Sequence, residues 1–409
     1  MRLKRILLSL TAFVLALSSA LPAGAEAFTI PTANTHKAKP SWWPNGAPGN
    51  YNVRDFAALN GELWCIYVNG KSSDIAIKLI NGKTFEAIKD INITGVTVSG
   101  TFPLSNIRRM GNQIVACNGV SGLYLKVYRW KDKNSAPDVI LSLSNFKNLQ
   151  GMGVSGDMNN GKLYFLRGED GTNTGSTTLC IFTVTNGSVN ATPTTITLPD
   201  RLKAKSRQYT ICPMDDESFW LKTNECYGVH INKDGSIIEE LTSDNLGANI
   251  DGIGQKHFKF NGQKLAVSTN YSAANNAKPL MCLVDYTGGV GANQKAVLPN
   301  WDAPLSTASQ KDILTTGADY EISDNGNRLD VWGLDPIGGF YHAWYMHTSA
   351  PGIVQNFTAT ARWDGAGQKV DLTWAKDGNA TSYKVFKNSD DLKTATRYGA
   401  APTPSAPST

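Results

Sequence analysis

Hydrophobic and polar residues alternate over short stretches along most of this chain, and no long stretch keeps the apolar period of a helix. Leu123, Leu125 and Val127 fall on one side of an extended segment, because successive side chains of a strand point to opposite faces. A Gly111-Asn112 pair separates two shorter apolar stretches just before this segment, and both residues tolerate the positive φ of a tight hairpin. The pattern therefore predicts three short strands joined by turns over residues 101–130.

The same phrase recurs: a turn, an apolar strand, a polar loop and a second apolar strand. Its turns lie at Asn60-Gly61, Gly111-Asn112, Asn160-Gly161, Asp215-Asp216, Asn261-Gly262 and Asn325-Gly326. Repeats of roughly 40–50 residues built from strands indicate a β-propeller, because one blade cannot bury both of its faces whereas a closed ring of blades can. We predict an all-β fold with a six-bladed propeller over residues 51–350. A seventh blade between residues 261 and 325 is the alternative.

The first 27 residues have the composition of a secretory signal peptide. Three basic residues precede the apolar run Ile6–Leu17, and a small-residue segment follows, with predicted cleavage after Ala25 or Ala27. The apolar run is shorter than the ~20 residues that a membrane-spanning helix needs. We therefore expect a secreted protein, periplasmic or extracellular after cleavage, with no membrane span.

Residues 28–50 form an extended segment rich in Pro, Asn and Gly. The sixth repeat lacks an obvious outer strand, and Phe28–Thr32 is the stretch available to supply it and close the ring. Trp42 and Trp43 could form an exposed platform for a sugar, but bulky aromatic side chains are more often buried. We expect these two tryptophans to plug the edge of the domain.

Beyond Pro351 the sequence changes character. Strands are predicted at Val354–Ala361, Val370–Trp374 and Ser382–Lys387, and the stretch VDLTWAKDGNATSYKVFK resembles the start of a fibronectin type III domain. Such a sandwich normally has ~100 residues, so residues 351–397 would be a partial, truncated module. Residues 398–409 have the composition of a disordered tail.

Three phrases carry a wider resemblance: TFPLSNIRRMGNQIVACNG, KVYRW and YNVRDFAALNGELW. They resemble the secreted propeller-like domains of unknown function of gut Bacteroidetes, which often precede fibronectin type III or related modules. The resemblance covers residues 40–350 and implies action at the cell surface on glycans or host matrix. Its motifs are structural, so it assigns no site residue. The chain departs from the usual surface forms because it has no lipidation cysteine near the cleavage site.

Charge and cysteine content narrow the classes of partner. Removing Arg2, Lys4, Arg5 and Glu26 from the 39 basic and 34 acidic residues leaves a net charge of +3, which gives no electrostatic reason to bind nucleic acid. The six cysteines lie in or beside predicted strands, and none forms a CxxC pair. We expect them to be mostly reduced core thiols, and we expect no zinc site.

The loops that follow the second strand of each blade should share one face of the ring. The two longest, Arg167–Thr178 and Thr269–Lys278, are predicted to wall a depression near the axis. Amide side chains and tyrosine would suit a saccharide there through hydrogen bonds and ring stacking, although Asn and Gly also simply make turns. The candidate binding residues on this face are Asn118, Arg167, Glu169, Asn224, Tyr271 and Asp335.

The sequence contains no GxSxG, HExxH or phosphate-loop motif. We therefore expect a monomeric, non-catalytic protein that binds a glycan or an extracellular protein without a cofactor. The segment Glu169–Asn173 could wrap a structural Ca²⁺, although it lacks the spacing of an EF-hand. The alternative function is a polysaccharide hydrolase or lyase using acidic loop residues, which for hydrolysis needs two carboxylates ~5–10 Å apart.

Overall fold

The computed structural model describes residues 30–43, 53–68, 74–98, 102–119, 124–147, 149, 151–168, 175–202, 209–223, 226–242, 254–272, 278–290, 317–335, 338–347, 358–363, 368–373, 386–387 and 396–397. The chain divides into two compact units, Met1–Tyr345 and Met346–Thr409. In the first unit the described strands form six antiparallel sheets, which we number blade 1 to blade 6 along the chain. The prediction of a six-bladed all-β propeller is confirmed.

The blades follow one plan, in which successive strands pair from the centre outwards; the fifth strand of blade 3, which pairs with the third, and the outer strand of blade 6, which comes from the start of the chain, depart from it. The strands of blades 1 and 2 are Val53–Leu59, Glu62–Val68, Ile75–Asn81 and Ala87–Asp90, then Phe102–Met110, Gln113–Gly119, Tyr124–Trp130 and Asp138–Ser144. Those of blades 3 and 4 are Gly153–Gly156, Asn160–Gly168, Gly175–Thr185, Ser188–Val189 and Thr194–Thr197, then Tyr209–Pro213, Phe219–Thr223, Cys226–Ile231 and Ile237–Glu240. Those described in blades 5 and 6 are Gly254–Phe260, Gln263–Ser272 and Lys278–Asp285, then Gly317–Ser323, Arg328–Asp335, Gly339–Met346 and Thr35–Ala38.

The ring is closed on itself. The first strand of each blade is innermost and contacts the first strands of both neighbouring blades, including blade 6 with blade 1. Buried apolar side chains of the described residues group into six clusters, one between each pair of neighbouring blades. Each blade therefore buries both faces against its neighbours, which is the reason that such repeats need a ring.

Two of the predicted Asn-Gly hairpin turns form as the sequence predicts, whereas in blade 3 Asn160 and Gly161 already belong to the second strand, Asn160–Gly168, and the turn precedes them. In blade 1 Asn60 and Gly61 have φ values of 56° and 72°, and in blade 5 Asn261 and Gly262 have 49° and 79°. Two successive positive φ values match the right-handed twist of the flanking strands and favour Asn-Gly. The local chemistry of each turn thus fixes the register of the two innermost strands.

The strand that completes blade 6 lies slightly later in the chain than predicted. Thr35–Ala38 pairs antiparallel with the third strand of blade 6, with Thr35 opposite Ala343 and Ala38 opposite Phe340. The predicted donor, Phe28–Thr32, falls partly outside the described residues, and its last residue begins a short 3₁₀ helix, Thr32–Asn34. Two more such turns occur at Asp200–Leu202 and Asp324–Gly326.

The tandem tryptophans plug the ring next to this closure, as the burial argument predicts. Trp43 is 3% exposed and packs edge-on against Phe340, with ring centroids 5.4 Å apart. The indole of Trp42 donates a 2.8 Å hydrogen bond to the carbonyl of Phe85. The six cysteines are buried and form no disulfide, also as predicted.

Charged groups brace the innermost strands. The buried Arg108 of blade 2 pairs with Asp55 of blade 1 and donates from Nε to the Met152 carbonyl of blade 3 at 3.1 Å. Burial alone would lower the pKa of Arg108, but the Asp55 and Asp319 carboxylates raise it, so the guanidinium stays charged. Asp319 of blade 6 accepts from the backbone N–H of Ala58 in blade 1 at 2.8 Å. These contacts join consecutive blades around the axis.

In the second unit the described strands form two hairpins. Thr358–Trp363 pairs with Gln368–Thr373, and Phe386–Lys387 pairs with Thr396–Arg397. The first two strands overlap the predicted ones, whereas most of the predicted strand Ser382–Lys387 lies outside the described residues. The fibronectin-like module stays a prediction.

Candidate functional site

Three of the six predicted binding residues can be placed with their side chains. Asn118 is 1% exposed and spans the start of the third strand of blade 2: its Oδ1 accepts from Lys126 N at 2.6 Å and its Nδ2 donates to Tyr124 O at 3.1 Å. Asp335 is fully buried at the end of its strand, and Arg167 is exposed beside a bulge. Asn118 therefore has the structural role of holding two strands together.

The other three predicted residues give no side-chain geometry. Glu169 and Asn224 lie outside the described residues, and of Tyr271 only the backbone pairing with Pro279 is described. The calcium-binding alternative at Glu169–Asn173 lies outside them as well. The predicted depression stays a prediction, because residues 169–174 and 273–277, half of each loop that would wall it, lie outside the described residues.

A cleft lies at the opposite face of the ring, where the turns between first and second strands are found. Its volume is about 530 Å³, and it opens between blades 2, 3 and 4, with blade 6 reaching it across the axis. Its lining consists of Arg109, Gly111, Val154, Ser155, Gly156, Lys162, Tyr164, Pro213, Met214, Asp215, Glu217 and Tyr320. We call it the turn-face cleft.

Backbone requirements shape the blade 3 wall of the turn-face cleft. Gly156 has a φ of 69°, and a Cβ there would lie 2.2 Å from the Asn160 carbonyl oxygen. Only glycine fits this position, since an added Cβ meets both steric and torsional cost. The tight turn leaves Ser155 opposite Lys162 in the register, with the Ser155 and Tyr164 hydroxyls 3.5 Å apart.

An ion pair crosses the cleft from blade 3 to blade 4. Lys162 Nζ donates to Glu217 Oε1 at 2.7 Å, and Lys233 Nζ lies 3.6 Å from Glu217 Oε2. The hydrogen bond from Lys162 lowers the pKa of Glu217 and correspondingly raises the pKa of Lys162. Both groups are therefore charged at neutral pH, and Glu217 holds no proton to give to a leaving group.

Two charged groups of the cleft have hydrogen-bonding capacity to spare. Arg109 approaches Glu321 only to 3.7 Å, while the two Glu321 oxygens accept the backbone N–H groups of Asn60 and Gly61 at 2.7 Å each. Within the described part of the chain, the Arg109 guanidinium and the Asp215 carboxylate make no side-chain hydrogen bond to protein. One strong donor and one strong acceptor thus face the same cleft.

Tyr320 supplies an aromatic hydroxyl from blade 6. Its ring stacks on Phe258 with centroids 4.0 Å apart and planes 15° apart. Burial raises the pKa of Tyr320, so the phenol stays neutral and can both donate and accept. The cleft therefore combines donors, acceptors and hydroxyl groups with the apolar side chains of Val154 and Met214.

The binding residues predicted from the sequence are not among the residues that line this cleft, although the sequence contains one signal for it. The fourth repeat replaces Asn-Gly by Asp215-Asp216-Glu217, and a departure from the turn consensus marks a position under another constraint. Arg109 and Lys162 gave no such signal, because isolated basic residues near strand ends are common. Their proximity to Asp215 follows from the ring alone.

Clusters of metal-ligating side chains and membrane-spanning helices are both absent from the described residues. Among them, no three His, Cys, Asp or Glu side chains are grouped so as to hold a metal ion. The same residues include no helix with the length and hydrophobicity required to cross a bilayer.

Known structures show what the fold is similar to. A DUF4623 family protein from Bacteroides eggerthii matches with a TM-score of 0.58 at 12% identity, covering 79% of this chain and 77% of that one. An endo-arabinase from Bacteroides thetaiotaomicron matches at a TM-score of 0.36 and 11% identity, over 78% of this chain and 97% of the enzyme. The extracellular domain of a putative hybrid two-component system from the same species matches at a TM-score of 0.38 and 10% identity, over 90% of this chain and 46% of that one.

The first likeness supports a Bacteroides-type propeller fold, and at 12% identity it shows the fold alone. The two lower scores carry no inference about activity. No protein-family model matches the sequence, and no curated protein sequence matches it significantly.

Proposed function

We propose that the protein is a secreted, non-catalytic binding protein that recognises a glycan through the turn-face cleft. The observation that carries this proposal is that Arg109 and Asp215, a donor and an acceptor that make no side-chain hydrogen bond among the described residues, line one polar cleft. Saccharides present rings of hydroxyl groups that donate and accept at once, and they require both kinds of partner. The volume of about 530 Å³ lies in the usual ligand-site range of roughly 300–1,000 Å³.

Binding without turnover is favoured over hydrolysis by the state of Glu217. An acid catalyst for glycoside cleavage needs a carboxyl group whose pKa is raised so that it keeps its proton. Lys162 acts on Glu217 in the opposite direction and lowers its pKa. The charged state of Glu217 therefore supports binding without turnover over hydrolysis.

The deciding experiment is an array of immobilised plant, fungal and host oligosaccharides, probed with the purified protein. Arg109→Ala and Asp215→Asn should each abolish the strongest signal, while Arg167→Ala, on the other face, serves as the matched control and should retain it. All three side chains are exposed or half-exposed, so stability should change by less than ~0.5 kcal/mol. Loss of binding in Arg167→Ala alone would move the site back to the originally predicted face.

Two further outcomes would contradict the proposal. Release of reducing ends or unsaturated products from any bound polysaccharide would favour the hydrolase or lyase alternative. Binding to no oligosaccharide, with capture of an extracellular matrix protein instead, would favour a protein ligand. Secretion is tested separately: the mature chain recovered outside the cytoplasm should begin at Glu26 or Phe28, as the cleavage prediction requires.

A further inference from the structure

A chain of hydrogen bonds supports the turn that carries Asp215 and Glu217. Asp216 Oδ1 accepts from the Ser218 N–H at 3.1 Å and also from the Ser218 hydroxyl. The Ser218 hydroxyl oxygen lies 2.7 Å from His230 Nε2, and His230 Nδ1 lies 3.1 Å from Glu239 Oε1. We call these four side chains the blade 4 relay.

The relay has the order of a Ser–His–carboxylate triad but not its chemistry. Ser218 is 2% exposed, and it is absent from the lining of the turn-face cleft, so a substrate cannot reach its hydroxyl. Its single proton is donated to Asp216, whose pKa is lowered by that same hydrogen bond. A triad nucleophile must instead give its proton to the histidine.

The direction of these hydrogen bonds specifies the protonation of His230. Ser218 gives its proton to Asp216, so its oxygen can only accept from His230 Nε2. The Glu239 carboxylate accepts as well, and therefore needs a proton on Nδ1. Only the doubly protonated imidazolium satisfies both contacts.

The aromatic surroundings of His230 agree with a positive charge. Its ring stacks on Trp220 with centroids 4.7 Å apart and planes 9° apart, and a cation over an indole face is attracted by the ring quadrupole. On the other face of Trp220 lies His257, at 4.0 Å. Burial and the charge of His230 both lower the pKa of His257, which therefore stays neutral.

We propose that protonated His230 is a positioning residue for the turn-face cleft, so that ligand binding weakens as this histidine loses its proton. The expected effect on ligand binding rests on the proposed function, whereas the expected effect of His230 on the turn does not. The titratable and charged groups around His230 are Asp216 on the turn, Glu239 on the outer strand, and His257 behind Trp220. When His230 loses a proton, one of its ring nitrogens becomes an acceptor that faces a second acceptor, either the Ser218 oxygen or the Glu239 carboxylate. The hydrogen bonds that hold the turn with Asp215 and Glu217 are then weakened.

The first measurement needs no ligand. Hydrogen exchange reports the backbone bonds of the turn, namely Ser218 N–H to Asp216 Oδ1 and Met214 N–H to the Ser218 carbonyl at 2.8 Å. Corrected for intrinsic rates, their protection should fall by about tenfold from pH 5 to pH 8, the range in which histidine changes charge. In His230→Gln the protection should be low and independent of pH.

The matched control is His342→Gln. His342 also stacks on a tryptophan, Trp332, but it lies in blade 6 and contacts no residue of the relay. This variant should keep the pH dependence of the turn. Glu239→Gln, which preserves the shape of the site if His230→Gln folds poorly, should weaken the pH dependence, because its amide can donate a hydrogen bond to an imidazole nitrogen that carries no proton.

The second measurement uses the strongest-binding oligosaccharide of the array, titrated from about pH 5 to pH 8. Its affinity should fall about tenfold across this range for the parent and stay flat for His230→Gln. Equal protection of the turn at both ends of the range overturns the relay, whatever binds. If no saccharide binds but the protection still changes as expected, the proposed function fails and the relay stands. A pH dependence that persists in His230→Gln overturns the assignment to this histidine.

Discussion

Blades 4 and 6 each contain a histidine stacked on a tryptophan, but the two pairs differ in burial and in hydrogen bonding. In blade 4 Trp220 stacks on His230, and in blade 6 Trp332 stacks on His342, with centroids 4.7 and 5.1 Å apart. His230 is half-buried and bonded on both ring nitrogens, next to the turn-face cleft. His342 is 1% exposed, and its Nε2 lies 2.8 Å from Asp330 Oδ1.

The difference follows from where each blade stands in the chain. Blade 4 is built from one continuous stretch, Tyr209–Glu240, so its interior need not hold distant segments together. Blade 6 is completed by Thr35–Ala38, and the Trp332 indole donates at 2.7 Å to the Gly82 carbonyl of blade 1. A similar histidine–tryptophan stack thus supports the closure of the ring in blade 6. In blade 4, we infer, it positions a surface turn according to the protonation of His230.

The largest expected effect comes from opening the closure. A mature chain that begins at Lys39 lacks the closing strand and Ile30, which is 1% exposed, and should lose about 3–6 kcal/mol of unfolding free energy through the lost core packing and strand hydrogen bonds. Denaturant unfolding measures this loss. The control chain begins at Ile30 and should match the parent. Equal stability of both truncations would show that the closure contributes little.

A smaller loss is expected when the two indoles are compared directly. Trp332→Ala and Trp220→Ala should each cost ~3–5 kcal/mol, since both side chains are fully buried. Trp332→Phe keeps most of the packing and removes the bond to Gly82, which should cost ~1 kcal/mol beyond the lost volume. If Trp332→Phe were as stable as the parent, the indole bond would have no part in closure.

His342 and His230 should affect the pH dependence of the unfolding free energy in different ways. Burial lowers the pKa of His342 despite the opposing effect of Asp330, so the unfolded chain binds its proton more readily than the folded one. Stability is therefore fully present above an unfolded histidine pKa of ~6.5 and is lost as the pH falls below it. His342→Gln should cost ~1–3 kcal/mol near pH 8, with a gap that narrows toward lower pH.

Urea unfolding over a pH series measures this gap. His230→Gln provides the comparison, because in that blade the charged form is the one that fits. A gap between parent and His342→Gln that widens on acidification would contradict the neutral state assigned to His342.

The smallest effect is expected at the cleft surface. Glu217→Gln removes an exposed ion pair and should change stability by less than ~0.5 kcal/mol. The pKa of Lys162, which the Glu217 hydrogen bond raises, should fall back toward the ordinary lysine value. Lysine-selective NMR titration follows it, with lysines distant from Glu217 as internal references. An unchanged titration of Lys162 would mean that the ion pair does not persist in solution.

Much of the architecture could be predicted because it depends on the pattern of residues within short stretches of the chain. The recurring turn-and-strand phrase predicts blades, and Asn60-Gly61 and Asn261-Gly262 adopt the backbone that these residue types favour. Burial preference also predicted the tryptophan plug and the buried cysteines correctly.

The candidate site could not be predicted in the same way. Loop composition directed attention to one face, where Asn118 proved to be a buried clip between strands. Amide side chains fit both turns and ligands, and composition does not distinguish the two uses. The cleft on the opposite face joins Arg109 to Asp215 and Tyr320, residues drawn from three different blades.

The sequence by itself therefore determined most strands and turns and the propeller architecture, because periodicity and turn chemistry act over a few neighbouring residues. Only the tertiary structure decided which segment closes the ring, which face carries a cleft and which histidine meets two acceptors. These depend on distances across the ring and on the direction of each hydrogen bond. Neither quantity has a signature in the order of residues along one strand.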